Sequence, residues 1–145
     1  MFKKLLKGVF ALGILFMLNN PAQAFYTDMN ENHWAYQSIK FLTEVGVVVG
    51  YPDGTYKPDI PVTRAEFASM AIKALGQEDA SVTQDIHFSD VDKSFWAYDI
   101  IRKAVYFDLI PDAEGQRFRP YESVTRAEAI TIAVNALTTQ QISEQ

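Results

Sequence analysis

The word VTRAE occurs twice in this chain, at Val62–Glu66 and again at Val124–Glu128. The repetition continues on both sides of the word at one constant offset of 62 positions, the difference between 124 and 62. Repeats of this size usually mark stacked units that bury their faces against one another. The same offset relates Asp28 to Asp90, Trp34-Ala35-Tyr36 to Trp96-Ala97-Tyr98, Ile39 to Ile101 and Pro58 to Pro120.

Each unit is predicted to start with an amphipathic helix that is followed by a turn. Ala35, Ile39 and Leu42 have the spacing of one helical face. Asn32, which is replaced by Ser94 in the second unit, is a residue of the type that caps the start of a helix. The stretch GYPDGTYKP, at Gly50–Pro58, is too rich in Gly and Pro to continue the helix.

A second helix is predicted after each VTRAE word. Its apolar stripe runs from Phe67 to Leu75 in the first unit, and Gly76 is the expected residue after its end. The predicted fold class is therefore all-α, with two tandem helix-turn-helix repeats packed together. The predicted boundaries are 25–75 for the first unit, 76–87 for a polar linker, 88–137 for the second unit and 138–145 for a frayed tail.

Residues 1–24 are predicted to be a cleaved signal peptide. Three lysines precede an apolar run at Val9–Leu18, and Ala22-Gln23-Ala24 matches the A-x-A cleavage pattern. The apolar run is about ten residues long, whereas a membrane-spanning helix needs roughly 20. We therefore expect an exported protein of the cell envelope, without membrane insertion.

Composition argues against several classes of partner and activity. The chain has 13 basic and 18 acidic side chains, and its net charge of −5 disfavours nucleic acid and anionic membranes. It contains no cysteine, so a disulfide framework is excluded. No constellation of His, Ser or Cys suggests an enzyme. No cofactor is expected, and an EF-hand starting at Asp53 fails because Lys57 and Arg64 occupy ligand positions.

Four of the five letters of VTRAE have a structural explanation. Thr63 and Glu66 are three residues apart at a helix start, which is the spacing of a capping box. The arginines at Arg64 and Arg126 are different, because a cation in the first turn opposes the helix macrodipole. Each arginine needs an acid. The acid is either a carboxylate on a neighbouring helix or an external anion, which free N–H groups at the helix start would help to hold.

Together these features resemble the S-layer homology family. Residues 26–75 contain the aromatic-x-Asp start, HWA, GYPDGTYKP and VTRAE, and residues 88–137 are similar to a second such motif. The resemblance implies a non-enzymatic module that binds cell-wall polysaccharide, often a pyruvylated secondary polymer, or a peptidoglycan-linked polymer. It also implies that grooves form between neighbouring motifs. The glycan-binding residues that it implies are Arg64, Arg126, Asp28, Asp90, Trp34, Trp96 and Gly50.

The residues themselves leave structural alternatives open for these sites. Trp34 and Trp96 stand beside the apolar stripe, which favours core packing over stacking on a sugar. Asp28 and Asp90 can bond to nearby backbone N–H groups, and Gly50 can serve only as a turn former. A sugar site at Arg64 predicts that wall binding is lost in Arg64→Ala and retained in Lys73→Ala.

Two features depart from the family pattern. The chain has two motifs where the family usually has three, so other motifs or a homo-oligomer would be needed to complete the arrangement. In the second motif, Gly46 and Gly50 are replaced by Asp108 and Asp112. The alternative function is a protein–protein adaptor that assembles with other such motifs and binds no glycan itself.

Overall fold

The computed structural model describes residues 25–111 and 115–143, with only the backbone for residues 140–143. Those ranges contain four α-helices and no strand, which confirms the all-α prediction. None of the described helices combines the length and the apolar content that a membrane crossing requires. The signal-peptide prediction, at residues 1–24, lies outside the described residues. The helices are α1 Tyr36–Glu44, α2 Arg64–Ala74, α3 Tyr98–Tyr106 and α4 Arg126–Ser143.

The capping boxes form as predicted at both VTRAE words. At α2 the Thr63 hydroxyl accepts from the Glu66 N–H, and the Glu66 carboxylate accepts from the Thr63 N–H at 2.8 Å. Thr125 and Glu128 repeat both bonds at α4. Gly76 adopts a left-handed φ of 64° just after α2, where a glycine avoids a steric penalty.

The predicted caps of the first helices are wrong. Asn32 and Ser94 lie in a turn ahead of α1 and α3, and the residues at the N-cap positions make no side-chain cap. The side chains that shape this turn are two residues earlier. Asn30 and Asp92 accept hydrogen bonds from the backbone N–H groups of residues 32 and 94.

The helices do not pair in the order in which they occur along the chain. Helix α2 packs against α3 and α4, whereas α1 contacts no other described helix. Buried side chains of α2, α3 and α4 form the main core together with Phe88 and Phe118. Met29, Tyr36 and Ile39 form a separate cluster beneath α1. The second helix of the first motif is therefore buried mainly by the second motif.

Parts of the predicted linker and tail are buried or helical. Val82 and Ile86, within residues 76–87, are buried. Helix α4 continues to Ser143, past Leu137, so it includes most of the predicted tail. Threonine hydroxyls at 138 and 139 bond to carbonyls one turn earlier, which keeps these polar side chains compatible with the helix.

Candidate functional site

Two grooves lie at equivalent places in the two motifs. The first groove, of about 700 Å³, lies between the loop after α1 and the body of α2, and Trp96 of the second motif forms part of its wall. The second groove, of about 350 Å³, lies against α4 and includes Arg64 of the first motif in its wall. Glu66 in the first groove corresponds by the repeat to Glu128 in the second. Each groove therefore includes a side chain from the neighbouring motif.

Arg64 joins the two motifs and is already paired. Its Nε donates to the Phe118 carbonyl at 2.6 Å, Nη1 forms an ion pair with Glu128, and the guanidinium lies over the Phe118 ring. The side chain is only 13% exposed. The acid that Arg64 was predicted to need is thus supplied by the second capping box, which favours the structural alternative over an external anion.

The N–H groups at the start of α2 are also used within the chain. The Arg64 N–H donates to the Glu122 carbonyl at 2.9 Å, and the Ala65 N–H donates to the Pro120 carbonyl at 3.1 Å. An isolated antiparallel bridge between Thr63 and Ser123 continues this contact. The donors that were expected to hold an anion instead connect the motifs.

Arg126 is in the opposite situation. It is exposed, and within residues 25–111 and 115–143 its guanidinium has no hydrogen-bond or ion-pair partner. By the repeat, the partner of Arg126 would be a glutamate in a following motif, as Glu128 is the partner of Arg64. Of the two arginines, Arg126 is the one whose charge remains available to an external acid.

Glu128 is electrostatically tuned by this junction. Hydrogen bonds from the Thr125 N–H, and next from its hydroxyl, together with the Arg64 charge, hold the pKa of Glu128 at about 2 against the opposing effect of burial. Arg119 adds a further hydrogen bond to the same carboxylate at 3.0 Å. The carboxylate therefore remains charged down to strongly acidic pH in the folded protein.

Acidification is expected to weaken the folded state through Glu128. Its pKa is lower folded than unfolded, so its contribution is complete above about pH 4.5 and is lost as the pH falls towards 2. Allowing for solvent screening of a partly exposed group, the loss should be roughly 1–2 kcal/mol. Urea unfolding at several pH values would measure it. Glu128→Gln, which keeps a capping-box residue but does not titrate, should flatten the pH dependence, and an unchanged slope in that variant would contradict this assignment.

Asp28 and Asp90 hold the loops between the helices. The two oxygens of Asp28 accept from the N–H groups of Tyr56 and Lys57 at 2.8 and 2.7 Å. Asp90 makes the same two bonds to residues 118 and 119. The Tyr56 bond is the largest cause that lowers the pKa of Asp28. The alternative of a backbone-bonded turn therefore describes both aspartates.

The core-packing interpretation of the tryptophans is wrong. Trp34 is 91% exposed and Trp96 is 56% exposed, because both lie in the turn before a helix while the following helical residues enter the core. Trp96 lines the first groove, where its exposed face is available for stacking. Trp34 lies outside both grooves.

Gly50 is required by a close contact inside the protein. A Cβ at this position would lie 2.1 Å from the Tyr26 ring and 2.7 Å from the Thr55 carbonyl oxygen. Gly50 also lines the first groove. Its counterpart Asp112 lies outside the described residues. At the other departure from the family pattern, Asp108 adopts the left-handed conformation of Gly46, which aspartate tolerates better than most residues.

The cations of the first groove were not among the residues predicted from the sequence. Lys57 and Lys73 both line it, and no described residue pairs with the Lys73 ammonium. Lys57 lies over the Tyr51 ring and 3.5 Å from an oxygen of Asp53. A signal was available in the repeat comparison, because Lys73 is replaced by Asn135 in the second motif. Lys73→Ala is therefore not a suitable control for Arg64→Ala.

The described residues contain no group of three or more His, Cys, Asp or Glu side chains arranged to hold a metal ion. What the first groove offers is two ammonium groups, the Tyr51 hydroxyl and a half-exposed indole. This combination suits a sugar that carries an acidic substituent, since the cations can meet the acid and the indole can meet the ring.

Comparison with known proteins gives a consistent result. The model of the S-layer homology domain matches residues 25–68 and 87–130. Cell surface glycoprotein 1 of Acetivibrio thermocellus is 37% identical over 120 residues, which is 77% of this chain and 5% of that protein. The cellulosome-anchoring protein of the same organism is 34% identical over 115 residues, which is 77% of this chain and 26% of that protein.

A third relative extends the range of organisms. The middle cell wall protein of Brevibacillus brevis is 32% identical over 103 residues, which is 70% of this chain and 10% of that protein. The chain thus spans about a quarter of the cellulosome-anchoring protein and a tenth or less of the other two relatives. Because the family model matches both repeats, and these cover more than half of the sequence, the chain belongs to the S-layer homology domain family.

Proposed function

We propose that this chain is a non-enzymatic module of the cell envelope that binds an anionic cell-wall polysaccharide in its first groove. The observation that carries the proposal is the groove itself, which lies in the first motif, has Trp96 of the second motif in its wall and includes Lys57 and Lys73 in its lining. The names of the relatives, which refer to the cell surface, to the cell wall and to anchoring, support a location in the envelope.

The anion is proposed to bind the lysines of the first groove rather than the arginines of VTRAE. Arg64 has two of its nitrogens engaged inside the chain, whereas the Lys73 ammonium has no partner among the described residues. Charge balance in the groove favours the same assignment. Among the described residues, Glu66 is the one acid that lines it, and Tyr51 and Thr63 already bond to its two oxygens.

Co-sedimentation with purified cell-wall sacculi tests this proposal. Lys73→Ala and Trp96→Ala are each expected to weaken binding about tenfold or more, which corresponds to the loss of one charge-assisted bond or one stacking contact. Lys93→Ala is the matched control, because Lys93 is an exposed lysine that lines neither groove. Circular dichroism would establish that each variant is folded.

A second set of sacculi identifies the ligand. Sacculi that are stripped of their attached polymers should retain little of the chain if the anionic polymer is the ligand. Equal binding to stripped and intact sacculi would contradict an anionic polymer, and full binding by both groove variants would contradict the first groove as the site. Because the chain is acidic and the proposed attraction is local, moderate salt should weaken binding far less than for a protein that tracks many phosphates.

The adaptor alternative is favoured by a separate observation. Large apolar side chains of α1, of the residue that follows it and of α4 are exposed, among them Phe41, Val45, Ile130, Val134 and Leu137. This surface lies on helices that have fewer neighbours than their counterparts in the other motif. The two functions are compatible, because the exposed helices and the first groove involve different side chains.

A further inference from the structure

Equivalent positions of α2 and α4 differ sharply in burial. Ile72 of α2 is 1% exposed, whereas its counterpart Val134 of α4 is 53% exposed. Ala68 is buried and its counterpart Ile130 is exposed. The difference arises because α3 of the second motif covers α2, whereas no described helix covers α4 in the same way. Helix α4 therefore presents an apolar face that the repeat elsewhere keeps buried.

Helix α1 is also less covered than its counterpart α3. In α3, Ala104 is fully buried and Lys103 reaches the Glu78 carbonyl just beyond the end of α2. The counterpart of Lys103 in α1 is Phe41, which is exposed, and no described helix packs on α1. Helix α1 thus lacks the helix partner that its counterpart α3 has among the described residues.

The two motifs also carry charged side chains of opposite sign that lack the partner found at the equivalent position. Arg126 has no acidic partner among the described residues, and Glu66 has no cationic one, although their counterparts Arg64 and Glu128 pair with each other. The helix positions and the Arg–Glu pair of the contact between the motifs thus have counterparts in this chain, with one half on the second motif and the other half on the first. A second copy can bring these two halves together.

We propose that copies of this chain assemble head to tail, with α4 of one copy packing on α1 of the next in the way that α2 packs on α3. Arg126 of one copy pairs with Glu66 of the next, as Arg64 pairs with Glu128 within a chain. Trp34 of the next copy enters the second groove, as Trp96 enters the first. Such a heterologous contact uses two different surfaces, so each copy retains one free surface for a further copy.

This assembly would contribute a side chain to each groove. Arg126 from the preceding copy adds a guanidinium beside Glu66 in the first groove, and Trp34 from the following copy adds an indole to the second groove, which has half the volume of the first. The inference goes beyond envelope anchoring and does not rest on glycan binding, since it concerns contacts between copies alone.

Sedimentation velocity of the purified protein, over a wide concentration range and without any wall material, tests the proposal. The parent should form dimers and larger species as its concentration rises. Val134→Asp removes the surface on α4 and Phe41→Asp removes the surface on α1, so each variant alone should remain monomeric. Thr138→Asp is the control, because Thr138 lies one turn from Val134 and its counterpart Gly76 is exposed.

Mixing the two variants gives the decisive result. The Val134→Asp variant retains an intact α1, and the Phe41→Asp variant retains an intact α4. An equimolar mixture should therefore form a dimer with one native contact. No larger species should form, because the remaining α1 and α4 surfaces of that dimer are both substituted. Arg126→Glu should weaken assembly of the parent about tenfold or more. A parent that stays monomeric at every concentration, or a mixture that gives no dimer, would overturn the proposal. Since both substituted positions are exposed, unfolding would not account for either result.

Discussion

Replacing Arg64 with alanine is expected to lower the free energy of unfolding by about 3 kcal/mol, because a largely buried cation and its hydrogen bonds are lost together. The substitution removes the ion pair with Glu128, the bond to the Phe118 carbonyl and the contact with the Phe118 ring. Glu128 keeps Arg119 and Thr125, which limits the loss relative to a charge left wholly unpaired. In a domain of this size the melting temperature should fall by roughly 10 °C, as thermal circular dichroism would show.

Arg126→Ala is the matched control for this prediction. Arg126 occupies the same position of the same word, but it is exposed and has no partner among the residues described. Its replacement should change the stability of the monomer by less than about 0.5 kcal/mol. The two variants should be compared in dilute solution, so that association between copies does not contribute. Equal destabilisation by both substitutions would show that the junction does not depend on Arg64.

Replacing Ile72 with alanine should cost about 3 kcal/mol, within the range usual for a large aliphatic side chain deleted from a core. Ile72 is one of the largest fully buried side chains and belongs to the cluster that α2, α3 and α4 share. The deletion leaves a cavity where the two motifs meet, so it should weaken the whole domain rather than one helix. Equilibrium unfolding in urea would report the change as a shift of the midpoint.

Val134→Ala is the equivalent substitution in the second motif, where the side chain is exposed rather than buried. Because Val134 is more than half exposed, its truncation should change the stability of the monomer by less than about 0.5 kcal/mol. Comparable losses for the two variants would contradict the asymmetric burial from which the assembly of copies is inferred. A large loss for Ile72→Ala alone would establish that the first motif is stabilised chiefly by the second.

Local features were predictable from the sequence because their partners lie only a few residues apart. Thr63 and Glu66 bond within one turn, so their spacing alone predicts the capping box. Gly76 is similarly local, since a helix end of this type requires a left-handed residue. The caps proposed at Asn32 and Ser94 failed for a related reason, since several polar residues lie near these helix starts and neighbours two positions away form the turn instead.

The candidate site was less predictable because it depends on contacts between the motifs. The partner of Arg64 is 64 positions away along the chain, yet it lies within the second copy of the same five-residue word. The cation and the acid recur together in VTRAE, which was a usable indication that they pair from one repeat to the next. The exposure of Trp34 and Trp96 was not indicated, since an aromatic residue beside an apolar stripe usually enters the core.

The sequence by itself determined the helical composition, the two repeats, the capping boxes and the family, because each depends on residue type and short spacing. Only the tertiary structure decided which helices share a core and which charged groups remain free. The physical reason is that α2 gains its burial from the next motif, so identical words meet different surroundings. Arg64 therefore lies in a closed junction while Arg126 faces solvent, although the residues on either side of both arginines are the same.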